Sequence, residues 1–185
     1  MSNGLKVGLG VVVLGSFLSL ASIGGCISTQ NEFIRHEAGI TAQHEANKVS
    51  LSTHFLKVKE MAQVPDMYVA DLKSLYTSTM QGRYGAEGSK ALMQFITEHN
   101  PNLDASVYKT LQIEIASGRE TFRQDQKSLL DKKRAYEVSF RSFPGSAYAG
   151  LLGYPKVDLT KYNVVTDDVT ERAFETGKQE PIRLR

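Results

Sequence analysis

The stretch Ala105–Ser142, ASVYKTLQIEIASGRETFRQDQKSLLDKKRAYEVSFRS, decides the fold class. It contains no proline. Val107, Leu111, Ile115, Gly118, Phe122, Leu129, Tyr136 and Phe140 recur at spacings that sum threes and fours, which places them near one face of a helix. At about 1.5 Å per residue the rod is ~57 Å long. Such a rod cannot bury its stripe alone and needs a partner of similar length. Arg119, Glu120, Arg123, Asp131, Lys132 and Lys133 form a mixed-charge face, which reads as solvated surface.

The partner lies upstream. From Ser28 to about Gln63 there is one glycine and no proline, and Phe33, Ile40, His44, Leu51, Phe55, Val58 and Ala62 repeat at helical spacing. Pro65-Asp66 ends this helix. Val69, Leu72, Tyr76 and Thr79 or Met80 mark a second helix within Asp66–Gln81. A glycine-rich turn, Gly82–Gly88, leads to a third over Ser89–Glu98, with Leu92, Phe95 and Ile96 apolar. Asn100-Pro101-Asn102 breaks that helix, and the Asp104 carboxylate can accept the free N–H groups that open the long rod. The expected fold is all-α: an N-terminal transmembrane helix, then an elongated antiparallel bundle of about four helices, then an extended C-terminal tail. The corresponding division is an anchor at 1–27, a bundle at 28–154 and a tail at 155–185, with a short helix at Val169–Thr176.

The anchor rests on an uneven distribution of charge. The 185 residues carry 22 Lys+Arg against 20 Asp+Glu, a balance that argues against nucleic acid as a partner. Between Met1 and Gly25, however, Lys6 is the only charged side chain. Val7–Gly25, VGLGVVVLGSFLSLASIGG, spans ~28 Å as a helix, about the hydrocarbon thickness of a bilayer. Two readings stay open. In the first, the segment is a retained transmembrane helix. Its small residues recur four apart, as Gly4 with Gly8, Gly15 with Ser19, and Ala21 with Gly25. That spacing lets helices approach closely in lipid and predicts self-association. In the second, Ile23-Gly24-Gly25-Cys26 is a lipobox, and Cys26 is the acylation site of an exported lipoprotein. Orientation is weakly encoded, with Lys6 on one side and Arg35 on the other. The lipobox reading requires export, which points to a single-pass protein of the bacterial inner membrane with its bundle on the periplasmic side.

No catalytic constellation is evident. The single cysteine excludes an internal disulfide, and with four scattered histidines it supplies no structural zinc set. Gly8-Leu9-Gly10 lacks dinucleotide-binding spacing, and Gly88-Ser89-Lys90 is not a phosphate loop. His36 and His44 lie ~12 Å apart along one helix, too far to share a metal. Glu32 and His36 form an i, i+4 pair, whereas His54 and His99 have no local acid or thiol. Glu37, His44 and Asn47 are spaced so that they either face the partner helix, where buried polar groups can set register, or line a splayed, wet end of the bundle. The reading is of a non-enzymatic protein without cofactor or metal.

After the rod comes Phe143-Pro144-Gly145, then the small-apolar run Ser146–Tyr154, SAYAGLLGY. This is a short helix capping the core or a segment at the membrane boundary, where Tyr148, Leu151, Leu152 and Tyr154 would suit the interface. Together these residues carry a resemblance. "NPNLDASVYKTLQIEI" opens the long helix and "KKRAYEVSFRSFPGSAYAGLLGYPKVDLTKY" closes it. Over roughly Ser28–Tyr162 the layout resembles the LemA family of bacterial membrane-anchored proteins. The match is carried by Asn100, Pro101 and Asn102, then by Tyr136, Phe143, Pro144, Gly145, Ala149, Gly150, Leu152, Gly153 and Tyr154. The first long helix departs from the family pattern, having FLKVKEMAQVPDMYVADL and no tryptophan, which suggests a divergent bacterial or phage branch. The resemblance implies a helical bundle on a membrane stalk and transfers no catalytic residues. The expected function is structural or scaffolding, through contact with membrane lipid, copies of itself or an unidentified envelope protein. The alternative is a lipid-anchored periplasmic adaptor.

Overall fold

The computed structural model of the chain describes residues 3–82 and 88–163. Among them every regular element is helical: α1 (Asn3–Ala62), α2 (Val69–Met80), α3 (Gly88–His99), α4 (Ala105–Arg141) and α5 (Gly145–Leu152), with 3-10 turns at Asp66–Tyr68 and Leu159–Lys161. The expected anchor and first bundle helix are one uninterrupted helix of 60 residues. The tail helix expected at Val169–Thr176 lies outside the described residues.

The chain groups into two compact units, Met1–Thr41 with Asp131–Lys161, and Ala42–Leu130 with Tyr162–Arg185. α1 and α4 each contribute one part to either unit.

In the second unit α1 and α4 pair antiparallel, as three contacts show. Ser128 donates to the Gln43 amide oxygen at 3.0 Å, Asn47 donates to the Asp125 carbonyl at 3.1 Å, and His54 meets Glu114 at 2.7 Å. Residue numbers rise on one helix as they fall on the other. Phe55, Val58, Ala62, Leu111, Ile115 and Phe122 close a core with Leu72, Tyr76 and Met80 from α2 and Leu92, Met93 and Ile96 from α3. On α4 the buried Ile115, Phe122 and Leu129 are seven residues apart, a coiled-coil interval. Local sequence supplies the stops. Ser106 N–H donates to the Asp104 carboxylate at 2.7 Å, which caps α4 as expected, and hydrogen bonds from Ser106 hold that carboxyl below its ordinary pKa. The Asn100 side chain donates to the Ala62 carbonyl at 3.0 Å and so satisfies the end of α1. Arg119, expected on the solvated face, instead reaches Ser89 of α3 at 3.1 Å, whereas Glu120 and Arg123 pair with each other on the surface.

In the first unit the Phe33 ring packs at a tilt against Phe140 and Tyr154, both with ring centroids at 5.2 Å. The buried Tyr136 hydroxyl accepts the Val157 N–H at 2.9 Å and so holds the chain beyond α5. α5 comes so close to α4 that a side chain at Gly145 would overlap the Ser139 carbonyl oxygen, whereas one at Gly150 meets nothing within 4 Å. Opposite outcomes follow for the same substitution. Gly145→Ala should lower stability by about 1–3 kcal/mol through overpacking. Gly150→Ala should raise it by about 0.5–1 kcal/mol through helix propensity. Thermal melts of the two variants check this, and equal effects would contradict the packing described.

Candidate functional site: the apolar length of the first helix and the helix packed beside it

Among the described residues α1 is the one helix long and apolar enough to cross a membrane. Its surface changes character at a definite point. From Gly10 to Gly24 every residue is exposed, Phe17 and Leu20 included; Gly25 and Cys26 are half-buried; then Thr29, Phe33, Ile40 and Asn47 are buried. The periodic stripe therefore begins at Thr29, just before Glu32, the first charged residue after Lys6. Within that run Ser16, Ser19 and Ser22 donate to the carbonyls of Val12, Gly15 and Leu18 at 2.8–2.9 Å. Each hydroxyl is thus satisfied by its own helix.

The residues of the expected small-residue face divide into two groups. Gly8 and Gly15 have open space around them, and Ser19 and Ala21 are exposed. Gly25 is covered by the Tyr148 ring of α5: a Cβ there would lie 2.5 Å from the phenol oxygen and 3.0 Å from Cζ. Cys26 is a free thiol on the next residue, and α1 runs through it without a break. Of the motif after α4, Gly145 and Ala149 point inward, whereas Phe143, Pro144, Gly150, Leu151, Leu152 and Gly153 are exposed. Gly153 adopts φ 61° and ends α5, and the half-buried Tyr154 donates to Glu37 at 3.4 Å. The inward polar series on α1 takes partners in order. Glu37 meets Tyr154, His44 packs edge-on against Tyr162, and Asn47 bonds α4.

A second polar cluster lies in the other unit and was not legible in the sequence, because its members are up to 60 residues apart. His54 and Glu114, each about four-fifths buried, bond at 2.7 Å, with Lys57 at 3.6 Å from the same carboxylate. Tyr76 is fully buried close by, beside Gly118, and its hydroxyl has no hydrogen-bond partner. Burial pushes the Tyr76 phenol pKa up, and the Glu114 charge pushes it further. The helical faces bring this acid, imidazole and phenol together, with the Lys57 amine beside the acid. Among the described residues no group of three or more His, Cys, Asp or Glu is placed to hold a metal ion. A cavity of about 470 Å³ between α3 and α4 is lined by Ser89, Lys90, Gln94, Tyr108 and Gln112 among others, without an acid, histidine or cysteine.

No family model, curated protein or solved structure matches the chain.

The two buried tyrosines should respond differently to loss of the hydroxyl. Tyr136→Phe removes the acceptor of the Val157 N–H and should cost about 1 kcal/mol, whereas Tyr76→Phe removes an unpartnered hydroxyl and should be neutral or stabilising. A phenol whose pKa is raised in the folded state contributes stability that is complete below its unfolded pKa of ~10 and is lost as pH rises through the folded value. Melting temperatures of the parent chain should therefore fall as pH climbs above ~10, and Tyr76→Phe should flatten that fall. Identical alkaline profiles for parent and variant would contradict the role given to Tyr76.

Proposed function

We propose that this chain is a membrane-anchored structural or scaffolding protein of the LemA-like type, retained in a bacterial inner membrane by α1. The bundle projects on the periplasmic side, and copies associate through the small-residue face of the anchor. The observation that supports this reading is the unbroken run of α1 from an exposed apolar length into the stripe that the rest of the chain buries. A helix that is apolar all round and left uncovered needs an apolar solvent. Because it is continuous with the bundle, its position in a bilayer would be passed directly to the folded part. Gly8 and Gly15 leave space at which a second copy's helix could approach closely. The function is geometric in this account. Clustered anchors align a patch of bundles, and an envelope protein would be met on their charged outer faces.

The test is the oligomeric state of the full chain in detergent. Replacing Gly15 and Ala21 together by Leu fills the face and should disperse the assembly, read as a fall in protein mass by light scattering. An unchanged mass would overturn association through this face.

A further inference from the structure

We propose that Phe143–Tyr154, with α5 at its centre, is a second membrane contact that lies in the interface of a phospholipid bilayer beside the point where α1 leaves it. The proposal rests on the reading of α1 as the membrane anchor. Three observations converge on it. The first is composition: Ser142–Pro155 is 14 residues without a charge, bracketed by Arg141 and Lys156. The second is which side chains are turned inward. Gly145 and Ala149 face the unit, leaving Phe143 85%, Leu151 77% and Leu152 48% exposed. Ala147 and Leu151 are one helical turn apart on the outward side of α5, and Phe143, just before the helix, is exposed as well.

The third observation decides what covers them. Tyr148 sits on Gly25, the first covered residue after the fully exposed length Gly10–Gly24 of α1. The exposed apolar side of α5 is therefore held at the level where the exposed apolar length of α1 ends. A bilayer that takes up Gly10–Gly24 meets Phe143, Leu151 and Leu152 at its boundary. The chemistry fits that depth. Leucine and phenylalanine enter the acyl boundary, tyrosines such as Tyr148 place a ring at headgroup level, and Arg141, 71% exposed and 3.9 Å from Glu137, stands at the edge of the segment. The segment is fastened at both sides, by the close seat of Gly145 on α4 and by the Tyr154 bond to Glu37. An anchor helix alone leaves the chain free to rotate about the helix axis in the bilayer. A second contact in the same unit would fix one side of that unit against the lipid.

The chain has no tryptophan, so single substitutions report depth directly. Phe17→Trp, Ile34→Trp, Phe143→Trp and Leu151→Trp, each in the full chain, are reconstituted in phosphatidylcholine–phosphatidylglycerol vesicles with and without brominated acyl chains. Phe17→Trp reports the anchor. Ile34 is half-exposed and lies about 14 Å along α1 beyond Gly25, so Ile34→Trp reports the aqueous side. The proposal expects loss of emission in brominated vesicles at positions 17, 143 and 151, blue-shifted maxima at 143 and 151, and no quenching at 34. Quenching at 17 with red-shifted, unquenched emission at 143 and 151 would overturn the second contact and leave the anchor standing. Blue-shifted but unquenched emission at 143 and 151 would mean that protein covers the face, and would overturn it equally. No quenching at 17 would refute the anchor and the proposal with it.

Discussion

Backbone hydrogen bonds run without interruption along α1 from Asn3 to Ala62, and the rest of the structure is arranged around that continuity. The first proline after the apolar run is Pro65, so nothing in the backbone separates the exposed apolar length from the bundle. Gly24-Gly25 is the place where a break would cost least, because glycine has the lowest helix propensity of ordinary residues after proline. Here Gly25 is used differently. It lets the Tyr148 ring of α5 approach the helix, and so ties the end of the apolar run to the segment after α4.

Along α1 the buried positions change in chemistry as well as number. Phe33 and Ile40 are apolar, Asn47 is polar, and Phe55, Val58 and Ala62 are apolar again. Asn47 is accommodated because it donates to the Asp125 carbonyl and accepts from Gln43, so little of its hydrogen-bonding capacity is lost on burial. A buried amide with one specific partner disfavours a slipped register, in which it would face apolar groups. Glu37 plays a related part in the first unit, where it receives the Tyr154 hydroxyl. One Glu37 carboxylate oxygen takes this bond, whereas the other is buried without a hydrogen-bond partner.

Much of the architecture was legible because it is periodic. The α4 stripe, its Asp104 cap and the break at Asn100-Pro101-Asn102 depend on residues within a few positions of one another, and the helix boundaries follow them closely. The 3-10 turn before α2 and the start of α5 at Gly145 shift boundaries by a few residues, as helix ends do. Contacts that depend on tertiary approach left no such trace. His54 with Glu114, Asn100 with Ala62 and Tyr136 with Val157 each join residues 21 to 60 positions apart. Likewise, the unexpected role of Gly25 became visible only with Tyr148 in place beside it. Small-residue spacing marks surfaces that can approach something, but not which surface does so.

The account depends on α1 staying whole, since the span, the Gly25–Tyr148 contact and the continuity with the bundle all need residues before Cys26. The intact mass of the protein extracted from membranes tests this most directly. The account predicts an unmodified chain of 20.5 kDa. Loss of the 25 residues before Cys26 with a gain the size of a diacylglycerol would contradict it and establish the acylated form.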